Sequence, residues 1–321
     1  MKSTKKYSRR KFVETTGVSS MSLLLGSSFL LSGCGSKEKT VAEVAIAGQA
    51  DPIHTISCQL YTFRTQLSED LQGTLQKAAA TGLKHVETFD FSDSLAAEEG
   101  AAPSNPVSFA KRLKDVGLSV SSMHGELPVD SYAEKALTMA EAYDCKKYIW
   151  HGWPEDKRYQ SLDGIKELAE VYNKANQFLK SNGLEFGLHN HWWEMRLDES
   201  GGYPLQTLME HIDEDIFLEI DTYWVKTAQR DPAEILAEFG KRVQFMHMKD
   251  GPAPWNEDLA ASPHEPMVAL GNGVQDFRAI TDACGNDPKW MVIELDECAT
   301  DIFEAVKESI DFLTSNNMAK A

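Results

Sequence analysis

Three times in this chain a helical pattern runs into Gly-Leu and emerges as a strand: Thr81-Gly82-Leu83-Lys84-His85-Val86, Val116-Gly117-Leu118-Ser119-Val120 and Asn182-Gly183-Leu184-Glu185-Phe186. Glycine just past a helix end takes the left-handed conformation at low cost, and the leucine after it closes the helix and starts the strand. A recurring helix-to-strand junction argues for a parallel sheet built from βα units. Strand patterns fall at about 54–61, 84–89, 118–124, 146–151, 184–191, 216–221, 243–248 and 290–295. Helices lie between them, among them Asp70–Ala80, Asp163–Ser181, Pro232–Phe239 and one near Ile302–Thr314. Asp163 and Asp231 stand where N-caps belong, the second with Pro232 at the first helical position. No proline- or serine-rich linker divides the chain after residue 53, and about 265 residues are a usual size for a single (β/α)8 barrel, here spanning residues 53–318. An open doubly wound sheet would want a glycine-rich loop after its first strand. The first strand here leads instead into Gln59-Leu60-Tyr61-Thr62-Phe63-Arg64.

The N-terminal residues follow a different logic. Ser8-Arg9-Arg10-Lys11-Phe12-Val13 is followed by the apolar stretch Met21–Leu31 and then by Leu31-Ser32-Gly33-Cys34. A basic segment, an apolar segment and small residues at a cut are the three parts of a secretory signal. The paired arginines resemble a Tat signal, and Leu-Ser-Gly-Cys resembles the bacterial lipobox, whose cysteine becomes lipidated. The apolar run is too short and too rich in serine to span a bilayer, which takes about 20 residues. Residues 1–33 therefore read as a signal, Cys34 as the lipidation site and residues 34–52 as a flexible tether. The protein expected is an exported lipoprotein, held at a membrane only through that anchor, in the periplasm or on the cell surface.

Charge narrows the partners. Loss of residues 1–33 removes six of the 32 basic residues and one of the 49 acidic ones, taking the net charge from −17 to −22. Affinity for nucleic acid comes mostly from lysine and arginine neutralising phosphates, so a surface this acidic repels DNA and RNA, and neither is expected as a partner. Cys58, Cys145, Cys284 and Cys298 are widely spaced, form no CxxC and read as buried thiols in a chain large enough to hold its own core.

Chemistry-bearing residues gather at the C-terminal ends of the strands. Strand two ends near Glu87, strand three at His124, strand four at His151 and strand five at His189 and His191. Strand six carries Glu219 and Asp221 in "FLEIDTYW", strand seven His247 and Lys249 in "FMHMKD", and strand eight Glu294 and Asp296 in "VIELDE". Alternation puts Glu219 and Asp221 on one face and Leu218 and Ile220 on the other. In a barrel with helices outside, the polar face points inward near the top, where barrel enzymes keep their chemistry. Asp221, His247 and Glu294, on consecutive strands, then converge as two carboxylates and an imidazole. Something positive must relieve the repulsion between the carboxylates. Lys249 can do so, and a divalent metal does it better. Mixed Asp/Glu/His ligation suits Mn²⁺, Mg²⁺, Co²⁺ or Zn²⁺.

The run "LEIDTYWV … HMKD … VIELD", with "WHGW" on strand four and "GLHNHWWE" on strand five, resembles the xylose isomerase-like TIM barrels of the sugar phosphate isomerase/epimerase superfamily. The resemblance implies a divalent metal held by one residue from each of strands five to eight, the last three being Asp221, His247 and Glu294. Strand five departs from the family's pattern: where its epimerases carry a glutamate, this chain offers His189 or His191. His189 is favoured as the ligand, leaving His191 to touch substrate. The family's epimerases use the glutamates of strands five and eight as two bases, and here only Glu294 stands in place. His151, His191, Glu194 or Lys249 must supply the second proton-transfer group. His124, Trp153, Glu194 and Trp224 are further candidates for contact with substrate.

A metal that chelates a ketone and its neighbouring hydroxyl acidifies the carbon between them and stabilises an enediolate, and a nearby base takes the proton. Epimerisation, isomerisation and β-elimination, the last cleaving a 3-keto-glycoside, share that intermediate. Sugar phosphates are scarce outside the cytosol, so an unphosphorylated keto sugar or glycoside is the small-molecule substrate expected. The expectation is a metal-dependent sugar isomerase or epimerase, with a 3-keto-glycoside lyase as the alternative. A metal-dependent nuclease of the same architecture would need a basic groove. A carbohydrate-binding lipoprotein without catalysis would not need Asp221, His247 and Glu294 at one point. The sequence leaves an oligomer open. Gly271-Asn272-Gly273 reads as a tight turn at the lip of the site before a helix at Gln275, and residues 251–268, with four prolines, read as a covering loop.

Overall fold

The three Gly-Leu junctions behave as their sequence requires. Gly82, Gly117 and Gly183 take φ of +104°, +82° and +76°, beyond the helix ends and immediately before strands. The computed structural model describes residues 53–89, 105–152, 156–197, 202–255 and 265–321, all within the unit Ala50–Ala321. The signal and tether expected over residues 1–52, with Cys34, and the candidate Trp153 lie outside the described residues, as does much of the proline-containing loop. Among the described residues no helix is long and apolar enough to cross a membrane.

Eight strands build the barrel: β1 (His54–Gln59), β2 (His85–Thr88), β3 (Ser119–Gly125), β4 (Lys147–Trp150), β5 (Glu185–His189), β6 (Phe217–Asp221), β7 (Val243–Met248) and β8 (Trp290–Ile293). Each pairs in parallel with the next, and β1 pairs with both β2 and β8, so the sheet closes on itself. A two-residue strand, β9 (Ala319–Lys320), runs beside the start of β1. The helices are α1 (Arg64–Glu69), α2 (Leu71–Ala80), α3 (Pro106–Asp115), α4 (Ser131–Tyr143), α5 (Leu162–Ser181), α6 (Pro204–Met209), α7 (Thr222–Thr227), α8 (Pro232–Phe239), α9 (Phe277–Ala283) and α10 (Ile302–Ser315). Strand side chains that face outward, such as Leu218, Ile220, Met246 and Met248, join one apolar core with helix residues such as Leu168, Ile235 and Val306.

Several local expectations shift. Ser161, not Asp163, caps α5, its Oγ accepting the Gly164 N–H at 3.1 Å; Asp163 sits in the first turn, where its charge meets the positive helix end. The α9 helix begins at Phe277 under an Asp276 cap rather than at Gln275. Strand β5 ends at His189, so His191 belongs to the loop beyond it. Strand β8 ends at Ile293, one residue short of Glu294.

The barrel interior is layered, and the layers place the site. Ile149, Phe217, Phe245 and Val292, with Trp290 against them, form an apolar floor. Gly187 pairs with Phe217 across β5 and β6, and a Cβ at Gly187 would run into the Phe217 ring. The small residue there is what lets the floor close. Above the floor the interior turns polar with Ser57, Gln59, Glu87, Ser122, His124 and Glu219, all buried. A register shift between Val86 and Glu87 on β2 brings Ser121 and Ser122 of β3 both inward, where Ser121 Oγ meets Ser57 Oγ at 2.7 Å and Ser122 Oγ donates to Glu87 Oε2 at 2.5 Å. Burying so many polar groups is tolerable only when they satisfy one another.

Candidate active site

The lower part of the site is a buried polar deck. Glu219 Oε2 lies 2.5 Å from His124 Nε2, 3.2 Å from His247 Nε2 and 3.2 Å from His189 Nδ1. Glu87 Oε1 lies 2.7 Å from His247 Nε2 and 3.2 Å from His124 Nε2, and accepts from Gln59 Nε2 at 2.8 Å. Burial works against the Glu219 carboxylate, but His247 and His124 hold it well below the usual carboxylate range. Glu87 is pushed up, by burial first and then by Glu219. Burial opposes the His124 and His247 imidazolium ions, and the surrounding carboxylates outweigh it, so both stand above the ordinary histidine value. His189 is different: burial, then His247, push it down to about 3 and keep its ring neutral.

The upper part opens from the strand ends. Lys249 Nζ sits 3.0 Å from Asp221 Oδ2, 2.7 Å from Glu294 Oε2 and 3.0 Å from Asp296 Oδ2. Burial disfavours its charge, but those three carboxylates keep it protonated well beyond the usual lysine range. In return Lys249 and His247 overcome burial at Glu294 and hold it well below the usual carboxylate range. Burial raises Asp296 to about 6 although Lys249 pulls it down. Asp221 is set by local chain logic, because its Oδ1 caps α7, accepting the Tyr223 and Trp224 N–H groups at 2.9 Å each. Its own N–H donates to Asn190 Oδ1 at 3.0 Å.

Two sets of potential ligand atoms gather within 4.8 Å: His124, His189, Glu219 and His247 in the deck, and Asp221, His247 and Glu294 above it. His247 belongs to both. In the deck the ring nitrogens face carboxylate oxygens of the same set. In the upper set, Asp221 Oδ2 and His247 Nδ1 are buried without a hydrogen bond. Glu294 Oε2 stands 2.6 Å from His247 Nδ1, and His189 Nε2 lies 3.9 Å from Asp221 Oδ2. Two carboxylates and an imidazole nitrogen that converge at one point fit a divalent ion, which would take the place of the proton that the carboxylates hold on His247.

The remaining candidates divide. His151 is half-buried, its ring 6.4 Å from that of His124, with Nδ1 2.9 Å from the Gly152 carbonyl. His191 lies 5.0 Å from the His189 ring and stacks on Trp193 at 4.3 Å. His124 is turned down into the deck. Trp224 is fully buried, with Lys249 5.8 Å from its ring centroid and the His191 ring 6.0 Å away, so it packs beside both. Among the other tryptophans near the strand ends, Trp150 is buried, whereas Trp192, Trp193 and Trp255 are part-exposed, with Trp255 edge-on to Trp192 at 5.6 Å. Cys58, Cys145 and Cys284 are free and buried, and Cys298 is part-exposed.

Glu194 does not face the opening. It is buried, and its Oε2 accepts the His191 N–H at 2.9 Å, pinning the loop that carries His191. Burial raises its carboxyl to about 8, against the hydrogen bonds it accepts. A folded-state value above the unfolded one contributes stability that is present below about pH 4.5 and lost as pH rises through about 8. Glu194→Gln is expected to remove that slope, worth up to ~5 kcal/mol between the two limits. Urea unfolding at pH 5 and pH 8 measures it, and equal losses in parent and variant would refute the assignment.

Asp250 is a residue whose role the sequence reading missed. Its carboxylate accepts the N–H groups of Gly251, Gly271 and Gly273 at 2.9 Å each and that of Gln275 at 3.2 Å. It ties the residue after Lys249 to the Gly271–Gly273 turn at the lip. Asp250→Ala would strand four backbone donors, and with each net hydrogen bond worth about 1 kcal/mol a loss of ~3 kcal/mol is expected. Amide exchange at Gly271, Gly273 and Gln275 should quicken; unchanged protection there would disprove the tie.

Comparison with known proteins agrees with this architecture. A family model described as xylose isomerase-like TIM barrel matches residues 75–316. No curated protein matches the chain in sequence. A sugar phosphate isomerase/epimerase from Parabacteroides distasonis superposes with a TM-score of 0.67 at 20% identity, over 85% of this chain and 98% of that one. A probable 3-DHS dehydratase involved in petrobactin synthesis from Bacillus anthracis gives 0.61 at 15% identity, over 81% and 98%. The IOLI protein with a bound zinc atom gives 0.61 at 13% identity, over 82% and 99%.

Proposed function

Because the chain belongs to the xylose isomerase-like TIM barrel family, we propose that it is a divalent-metal-dependent isomerase or epimerase acting on an unphosphorylated keto sugar or glycoside. The observation that carries this is the meeting of Asp221, His247 and Glu294 at the strand ends, with His189 beside them and Lys249 among the carboxylates. An ion held by His189, Asp221, His247 and Glu294 would supply Lewis-acid polarisation of the substrate carbonyl; Mn²⁺, Mg²⁺, Co²⁺ and Zn²⁺ all suit the donors, and a structural neighbour holds zinc. Glu294, kept ionised by Lys249 and His247, takes the proton from the carbon beside the carbonyl. Lys249 keeps its charge and faces the oxygen on which negative charge develops. His191 and Trp193 present a stacked aromatic wall to the sugar, and His151 or His191 returns a proton. The export signal and lipobox read from residues 1–34 make this an anchored enzyme outside the cytosol, which favours substrates without phosphate.

One observation favours a second reading. On β5 the position nearest Asp221 holds His189, neutral and buried, so the second carboxylate base of an epimerase is missing from that place. A single base at Glu294 suffices for β-elimination from a 3-keto-glycoside: it removes the C–H proton, the glycosidic C–O bond breaks, and the departing oxygen takes a proton from a histidine. A dehydratase among the structural neighbours is in keeping with that chemistry.

The deciding experiment follows the metal-loaded protein in D₂O by NMR with a panel of unphosphorylated ketoses and 3-keto-glucosides. Deuterium entering a ketose together with sugar interconversion supports the isomerase or epimerase. Release of an aglycone with an unsaturated or hydrated keto sugar supports the lyase. Neither exchange nor product with any member of the panel counts against both.

A further inference from the structure

We propose that Glu87 and Glu219, with His124 between them, are positioning residues that fix which nitrogen of His247 and of His189 is free for the metal. This rests on the metal reading given above. Each imidazole has two nitrogens, and a neutral ring can ligate only through the one without a proton. The deck meets the two rings at their other nitrogens. His247 Nε2 lies 2.7 Å from Glu87 Oε1 and 3.2 Å from Glu219 Oε2, while Nδ1 faces Glu294 and Asp221. His189 Nδ1 lies 3.2 Å from Glu219 Oε2, while Nε2 faces Asp221 Oδ2 at 3.9 Å. His247 therefore donates Nε2–H to Glu87 and, once neutral, offers Nδ1; His189 Nδ1 makes no aligned hydrogen bond, but Glu219 is the acceptor beside it, which assigns the proton to Nδ1 and leaves Nε2 for the ion. The tautomers are opposite, and both free nitrogens point into the upper set.

The deck itself is held so that it cannot turn away. Glu87 is fixed by Gln59 Nε2 at 2.8 Å and Ser122 Oγ at 2.5 Å. Two carboxylates this close need a cation between them, and His124 Nε2 reaches both, at 2.5 Å from Glu219 and 3.2 Å from Glu87. That gives His124 a task below the substrate rather than beside it. Carboxylates behind metal-bound histidines orient the rings and raise their basicity, and losing one weakens metal affinity by about 10- to 100-fold.

The test uses the full chain loaded with zinc, with histidine nitrogens labelled. Long-range ¹H–¹⁵N spectra are expected to show His247 protonated at Nε2 and His189 at Nδ1, with zinc on the opposite nitrogens. Glu87→Gln and Glu219→Gln, close in shape to the parent, are expected to weaken zinc by 10- to 100-fold in competition with a chelator. Each should also disturb the signals of its own histidine first. Wild-type tautomers the other way round, or zinc on His124, would overturn the proposal whether or not the variants fold. Unchanged affinity and unchanged tautomers in both variants would overturn it too. A wild-type chain that binds no zinc, Mn²⁺ or Co²⁺ would instead remove the metal reading, and this inference with it.

Discussion

Glu294→Gln is expected to lower kcat/KM by about 10³-fold or more, since a positioned base contributes about 10²–10⁴ and this carboxylate is also a proposed metal ligand. The fold should survive. Lys249 keeps Asp221 and Asp296 at 3.0 Å each, and the glutamine keeps the volume of the side chain. The companion change is Asp221→Asn rather than Asp221→Ala, because Oδ1 caps α7 through two N–H groups and the asparagine retains that oxygen; alanine would add ~1–2 kcal/mol for the lost cap. Both variants should show near-parental melting and little proton exchange. Retained parental exchange rates in either would remove it from the chemistry.

Lys249→Met is expected to be the most destabilising single change in the site. The ammonium is 2% exposed and has three carboxylates within 3.0 Å. Removing one partner of a buried ion pair costs about 3–5 kcal/mol, because the opposite charge is left uncompensated. The sign with pH follows from that. Without Lys249 the three carboxylates hold protons to higher pH than in the parent, so the deficit shrinks as pH falls, Asp296, already at about 6, neutralising most readily. A divalent ion should repair part of the loss by supplying the missing charge, by about 2.7 kcal/mol at a hundred times its Kd. Urea unfolding at pH 5 and pH 8, with chelator or with Mn²⁺, measures each part. A variant as stable as the parent in chelator at pH 8 would show that the cluster is not held by that charge.

The barrel was legible because its signals are local. Gly82, Gly117 and Gly183 mark junctions, Asp231-Pro232 marks a helix start, and alternation alone puts Asp221 with Glu219 and Lys249 with His247. The upper residues were legible for the same reason, each standing at the end of its own strand. The deck was not. Glu87 meets His247 across 160 positions, and nothing near either residue encodes that meeting; closure of the sheet does. Nor does strand alternation account for β3, where the register shift turns Ser121 and Ser122 both inward and His124 meets Glu219. In the sequence Glu194 is a candidate for its place at the strand-five end, and a carboxylate three residues past His191 is also able to fold back on the chain, as its hydrogen bond from the His191 N–H shows.

The apolar floor of Ile149, Phe217, Phe245 and Val292 gives the barrel the closed base of a vessel. Those four side chains offer no hydrogen-bonding group, so proton traffic at Glu294 runs through the groups that touch it, Lys249 and His247, and through the mouth at the strand ends. A seated substrate then stands between the base and the solvent. The hydron that Glu294 removes is shared with Lys249 and His247, which touch it, or goes back to the bound molecule before the product leaves. Label from the medium would therefore enter the product less than once per turnover, and the shortfall would report how long the vessel stays stoppered.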